Sequence, residues 1–206
     1  MFQDTYKTIV KATEALFTDR GSKFISIAFP CSTEEDFRST LKKIKAEHRK
    51  ANHHCFAYVL GSNKESTRSN DDGEPSGTAG LPILRQINAN DLTNCAVIVV
   101  RYFGGTLLGV GGLINAYKSA AALAIESCTI IEKHIEEKYS IQFEYSDQSF
   151  VQQIISEFDI KIINQHFESK ILFTCSVLKS KADAFLTALK SYPLDSTRIK
   201  IKVVHD

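Results

Sequence analysis

The sequence predicts an α+β protein of two domains, and three observations carry that expectation. Ala96–Tyr102 (AVIVVRY) is a continuous apolar run, the pattern of a strand buried on both faces, and a glycine-rich stretch and an alanine-rich helical pattern follow it directly. From Tyr139 onward the periodicity switches between two and about 3.6 in the order βαββαβ. Between these regions lies a charged run, Glu132–Lys138, which places a boundary so that residues 1–134 form one domain and 135–206 the other.

The 206 residues suit two small domains, and 43% hydrophobic content is enough for packed cores and too much for a disordered chain. A formal charge of +1 excludes a molecule that traps nucleic acid by bulk charge, so any basic surface is local. No stretch approaches the roughly 18 consecutive apolar residues of a membrane span, and Met1–Lys7 lacks the order of a signal peptide; a cytoplasmic protein is expected. Cys31, Cys55, Cys95, Cys128 and Cys175 form no C-x-x-C pair, so each is read as a small packing residue.

In the first domain, Lys23–Phe29 reads as a strand ended by Pro30. Ser32 or Thr33 caps a helix with Glu34, Glu35 and Asp36 in its first turn and Phe37, Leu41, Ile44 and His48 toward the core. Its cationic end (Lys42, Lys43, Lys45, Arg49, Lys50) complements the helix dipole, with a phosphate-binding patch as the alternative. Cys55–Leu60 is a second strand, preceded by His53 and His54. Neighbouring strand residues point to opposite faces, so these two histidines do not share a metal. Gly61–Gly80 is polar and turn-rich, a long loop whose Gly61–Gly77 part is expected to be the most mobile internal segment, and Pro82–Ile87 adds a short helix. A longer helix runs from about Leu113 to Glu126.

In the second domain, Tyr139, Ile141, Phe143 and Tyr145 alternate with polar residues. Ser146–Asp147 offers an N-cap for a helix carrying Phe150, Val151, Ile154, Ile155 and Phe158. Ile160–Phe167 and Ile171–Val177 form a hairpin about Glu168–Lys170. Ser180–Asp183 resembles a capping box, Ala182, Phe185, Leu186 and Leu189 form a stripe, Pro193 stops the helix, and Ile199–Val203 is the last strand. This is a ferredoxin-like module with both helices on one sheet face. Arg198, Lys200 and Lys202 project from the open face; a charged edge strand is preferred to an RNA-contacting sheet because the aromatic RNP pattern is missing.

Two features carry possible chemistry. Strand, glycine run and helix start can cradle an anion, since glycine lets backbone approach and the helix's free N–H groups are partly positive; the spacing matches no nucleotide motif, and tight helix–sheet packing explains it equally. Asp71, Asp72 and Glu74 could hold Mg²⁺ through oxygen ligands, although a solvated acidic turn is the preferred reading.

Asn52–Gly61 (NHHCFAYVLG), Ser69–Leu84 (SNDDGEPSGTAGLPIL) and Val99–Tyr117 (VVRYFGGTLLGVGGLINAY), opened by SKFIS at Ser22–Ser26, together resemble the YigZ/Impact family. The resemblance implies an N-terminal domain with a left-handed βαβ fold like the fourth domain of elongation factor G, and a ferredoxin-like second domain. It also implies a link to translational control. Asn115 departs from the family, where a basic residue is frequent, and so weakens a phosphate site; Arg101 and Lys118 remain. The expected ligand surface comprises Arg101, Gly104, Gly105, Gly109, Gly111, Gly112, Asp71, Asp72 and Glu74, with His54 and Lys118. Arg101 either reaches outward to the ligand or pairs with Asp71 or Asp72 and pins the loop.

The leading functional expectation is a non-catalytic regulator of translation or stress response that binds RNA, the ribosome or a translation factor. The alternatives are a small Mg²⁺-dependent enzyme acting on a phosphorylated or nucleotide substrate, and a protein-interaction module without a ligand. No cofactor beyond that Mg²⁺ is implied.

Overall fold

The computed structural model describes residues 4–191 and 198–204; Pro193 lies outside the described residues. Backbone compactness divides the chain into a unit spanning Tyr6–Lys133 and a second formed from His134 onward, which also takes in Asp4 and Thr5.

The first unit holds β1 (Thr5–Ile9), β2 (Thr13–Asp19), β3 (Ser22–Pro30), α1 (Glu34–Glu47), β4 (His53–Leu60), β5 (Ser66–Asn70), α2 (Gly80–Ala89), β6 (Cys95–Tyr102), α3 (Gly109–Glu126) and β7 (Ile130–His134). Five strands make one sheet in the order β2-β3-β6-β4-β5, every neighbouring pair antiparallel, while β1 pairs with β7. Both sheet faces are covered, which is why β4 from Cys55 and β6 up to Val100 are apolar. Cys55, Ala57, Val59, Val97 and Val99 pack with Ile83 and Ile87 of α2 and Ala116, Tyr117, Ala120 and Ala124 of α3. Phe56, Tyr58, Leu60, Ile98 and Val100 face the other way, onto Phe37 and Ile44 of α1. Small residues dominate the α3 contact and let that helix lie close to the sheet. Thr33 caps α1 as expected, its hydroxyl accepting from Asp36 N–H at 3.1 Å, an interaction typically contributing about 1 kcal/mol.

Four strands escaped the sequence reading. β2 is joined to β3 by Arg20-Gly21, with φ of 45° and 80°, in a two-residue hairpin closed by the Asp19–Ser22 pair. β5 is wholly polar and lies at the sheet edge, so Gly61–Gly80 is not one long loop: its middle is hydrogen-bonded to β4. β7 occupies part of the charged run taken as the boundary. Lys7 of β1 accepts from Thr93 N–H at 2.9 Å, tying the β1–β7 ribbon to the loop before β6.

The second unit holds β8 (Glu136–Phe143), α4 (Gln148–Glu157), β9 (Lys161–Phe167), β10 (Ile171–Leu178), α5 (Lys179–Lys190) and β11 (Lys200–Val204). Its sheet order is β11-β8-β10-β9, antiparallel throughout, with α4 and α5 packed on one face over Ile141, Phe143, Phe173 and Val177. This is the ferredoxin-like arrangement expected, and the mixed α/β two-domain class stands.

Local corrections follow from long-range partners. Ser180 is not a capping-box residue: α5 starts one residue earlier, and the Ser180 N–H donates to the Asp4 carboxylate at 2.8 Å. Asp147 makes no side-chain cap to α4; its fully buried carboxylate pairs with Arg198 at 3.2 Å. Arg198 therefore turns to the helix side of the sheet instead of lining the open face, whereas Lys200 and Lys202 are exposed. Among the described residues no helix is long and apolar enough to cross a membrane.

The second unit has its own core, so a fragment of residues 135–206 is expected to show a single cooperative thermal transition by circular dichroism. A featureless melt would show that it depends on the rest of the chain.

Candidate functional site

A cavity of about 460 Å³ opens beside the start of α3, lined by Asn52, His53, Glu74, Pro75, Arg101, Phe103, Leu107–Val110 and Leu113. Strand parity decides which side chains reach it. Arg101 on β6 lies directly opposite His53 on β4, and both share the α3-facing side with Cys55 and Val99. His54, by the same parity, points to the α1 side. The sequence reading named His54, which parity places away from this cavity, because alternation separates the two residues without saying which face carries α3.

Arg101 does not reach outward. It is 5% exposed, and its Nη1 donates to Glu74 Oε1 at 2.6 Å. Glu74 Oε1 also accepts from Tyr117 Oη at 2.7 Å, while Arg101 Nη2 lies 3.5 Å from Ser22 Oγ. The guanidinium sits over the Phe24 ring at 5.4 Å and against Phe103 at 5.7 Å. Burial, then neighbouring Cys55 and Glu74, push the Tyr117 phenol far up, so it stays protonated and donates. The pinning partner is thus Glu74, not Asp71 or Asp72. A buried ion pair of this kind holds only because its polar atoms are largely satisfied; Arg101 Nε, by contrast, is buried without a partner.

The other two carboxylates are committed elsewhere. Asp71 caps α2 from a distance, Oδ1 accepting from Ala79 and Gly80 N–H at 2.9 and 2.8 Å and Oδ2 from Gly77 N–H at 2.9 Å. Asp72 has φ of 42°; its Oδ2 accepts from His54 N–H at 2.7 Å, and its Oδ1 pairs with Lys45 at 3.2 Å. Asp71, Asp72 and Glu74 therefore turn to three different sets of partners and share no vertex for Mg²⁺, and among the described residues no three metal-ligating side chains converge. The acidic segment is a folded connector held by internal hydrogen bonds.

The glycine run divides. A Cβ on Gly104 would stand 1.9 Å from the Gly21 carbonyl carbon, so Gly104 exists to let the β2–β3 turn pack against it. Gly109 lines the cavity at the first position of α3, with φ of 70°, four residues before the expected helix start. Gly105 has open space around it; Gly111, Gly112 and the exposed Lys118 lie outside the cavity lining. The cavity next to the α3 N-terminus has apolar walls and a carboxylate in its floor, the opposite of an anion cradle.

His54 is buried, and its Nε2 has no partner. Burial, reinforced by Lys45, lowers its pKa against the opposing pull of Asp72, so the ring is neutral. Phe103, Leu107 and Val110 are 45%, 82% and 59% exposed and form an apolar rim that composition could not distinguish from core.

Burial raises the Asp71 pKa, but its backbone bonds to Gly77, Gly80 and Ala79 outweigh that, so the pKa lies below the ordinary 3.8. A lowered carboxylate pKa contributes stability that is complete above the unfolded value and lost as pH falls through the native value. Asp71→Asn is therefore expected to be less stable than the parent at pH 7 in urea melts, with the gap closing below pH 3.8. A gap independent of pH would contradict the charged cap.

Comparison with known proteins agrees with this layout. The Impact N-terminal domain matches residues 20–125, which include the whole cavity lining, and a domain of unknown function (DUF1949) matches residues 141–191. The chain is 32% identical over 181 residues to the IMPACT family member YvyE of Bacillus subtilis, covering 88% of this chain and 83% of YvyE. It is likewise 32% identical over 182 residues to the IMPACT family member YigZ of Escherichia coli, covering 87% and 89%. A solved structure titled as the crystal structure of a hypothetical protein covers 100% of both chains, with a TM-score of 0.71 and 27% identity. The chain belongs to the IMPACT family.

Proposed function

We propose that this chain is a non-catalytic regulator linked to translation, and that it docks on a protein of the translation machinery through the Phe103–Val110 rim and the cavity behind it. The observation that carries the docking surface is the rim itself: three large apolar side chains, Phe103, Leu107 and Val110, stand substantially in solvent around a preformed cavity. The translational link rests on family membership and on what the resemblance to Impact proteins implies. Against catalysis, Asp71 and Asp72 are fully engaged in holding α2, β4 and α1, and Arg101 is locked to Glu74.

A protein fits this surface better than RNA. Phosphates require cations, and the one cation in the cavity lining, Arg101, is buried and paired with Glu74, whereas Lys42, Lys43, Arg49 and Lys50 at the end of α1 lie outside that lining. That basic end is the surface on which an RNA reading would have to rest.

Leu107→Asp tests the proposal. Because Leu107 is 82% exposed, its replacement is expected to change stability by no more than about 0.5 kcal/mol. Affinity-tagged parent protein is expected to retain a ribosomal protein or translation factor from lysate, identified by mass spectrometry, and Leu107→Asp is expected to lose it. Equal retention by both proteins, or retention of RNA alone in a salt-sensitive manner, would overturn it.

A further inference from the structure

The floor of the cavity holds a hydrogen-bond acceptor that no residue uses. Glu74 Oε1 is taken by Arg101 and Tyr117, but Oε2 has no partner among the described residues, although the side chain is only 4% exposed. His53 adds a second acceptor. Its Nδ1 lies 2.9 Å from the Asp72 carbonyl oxygen. A carbonyl can only accept, so Nδ1 carries a proton, and the tautomer with its lone pair at Nε2 presents that lone pair 3.9 Å from Glu74 Oε1. Arg101 does not offset this, since Nη1 is bound to Glu74 and the unpartnered Nε is sealed from the surface. The charged side chains of the lining are Glu74 and Arg101, paired with each other, so Glu74 Oε2 is the carboxylate oxygen left over. Above it the walls are apolar: Pro75, Phe103, Leu107, Leu108, Val110 and Leu113.

We propose that this cavity is a socket for a lysine side chain of the docking protein, an inference that rests on the docking surface proposed above. The lysine methylenes lie along Leu107, Leu108 and Val110, and the ammonium donates to Glu74 Oε2 and His53 Nε2 with its third proton toward the mouth. Lysine is favoured over arginine because a guanidinium seeks two carboxylate oxygens side by side, and Glu74 has only one free. A phosphate or carboxylate would meet Glu74 Oε2 and be repelled by it.

The test uses n-butylammonium, which reproduces the lysine side chain, with 1-butanol as the neutral isostere and n-butylguanidinium as the arginine mimic. Each is titrated into the full chain while the methyl resonances of Leu107, Leu108, Val110 and Leu113 are followed by NMR. Butylammonium is expected to shift these methyls saturably, with 1-butanol and butylguanidinium each at least about tenfold weaker. Glu74→Gln is expected to abolish the preference for the amine. Since that change also breaks the Arg101 pair, Val110→Trp, on the exposed rim, serves as the second variant: it leaves the floor intact, closes the mouth, and is expected to abolish binding of all three probes. Equal affinity for butanol and butylammonium, or shifts that survive Val110→Trp, would overturn the socket. If butylammonium fails while Leu107→Asp still loses its partner, the socket falls and the docking surface stands. If butylammonium binds as expected while Leu107→Asp keeps its partner, the docking surface falls, and with it a partner's lysine as the occupant.

Discussion

A buried ion pair between Glu74 and Arg101 joins the parts of the first unit that sequence separates most. Arg101 ends the central strand, Glu74 sits in a polar connector 27 residues earlier, and Tyr117, which donates to the same carboxylate oxygen, lies on α3. One oxygen thereby links sheet, connector and helix. The geometry is costly: both groups leave water almost completely, and only the phenol, the Ser22 hydroxyl and the rings of Phe24 and Phe103 compensate. Such a pair is weak evidence for extra stability and better evidence for specificity, because a displaced partner leaves an uncompensated charge. Here it holds Glu74 in a single orientation, with one oxygen inward and one toward the cavity.

The rest of the connector obeys the same logic. A stretch with almost no apolar residues cannot anchor itself by burial, so it is anchored by carboxylates that find backbone N–H groups: Asp71 those that open α2, Asp72 that of His54. Acidic residues that resemble metal ligands in sequence are here the bolts of a loop. The consequence for function is a site whose shape is set before any partner arrives, which lowers the ordering cost of binding. What stays unbonded is a small set of acceptors at the bottom and apolar side chains at the top.

Much of the fold was legible because it rests on local periodicity. β4 and β6 announced a sheet covered on both faces, and β8 to α5 announced the ferredoxin-like order. The strands that escaped, β1, β2, β5 and β7, are short or polar; Ser66–Asn70 contains no apolar residue, so no alternation exists to be read. The site was half legible. Arg101, Glu74 and Gly109 were singled out and do meet at one cavity, yet the reach of Arg101 was misjudged because its partner lies far away in sequence. His53 was passed over for His54 because parity alone does not tell which sheet face carries α3. Gly104 was read as a bare ligand surface, whereas the turn it accommodates, Arg20-Gly21, had not been recognised.

The dependence of the connector and cavity on this one pair is tested most directly by a double-mutant cycle in the full chain: Arg101→Met, Glu74→Gln and the double variant, each by urea unfolding with hydrogen exchange read across Asp71–Ala79. Each single change is expected to cost about 3–5 kcal/mol, the double change much less than the sum, with a coupling of about 2 kcal/mol or more. Exchange across the connector is expected to accelerate in each single variant. Additive losses with unchanged exchange would contradict the account.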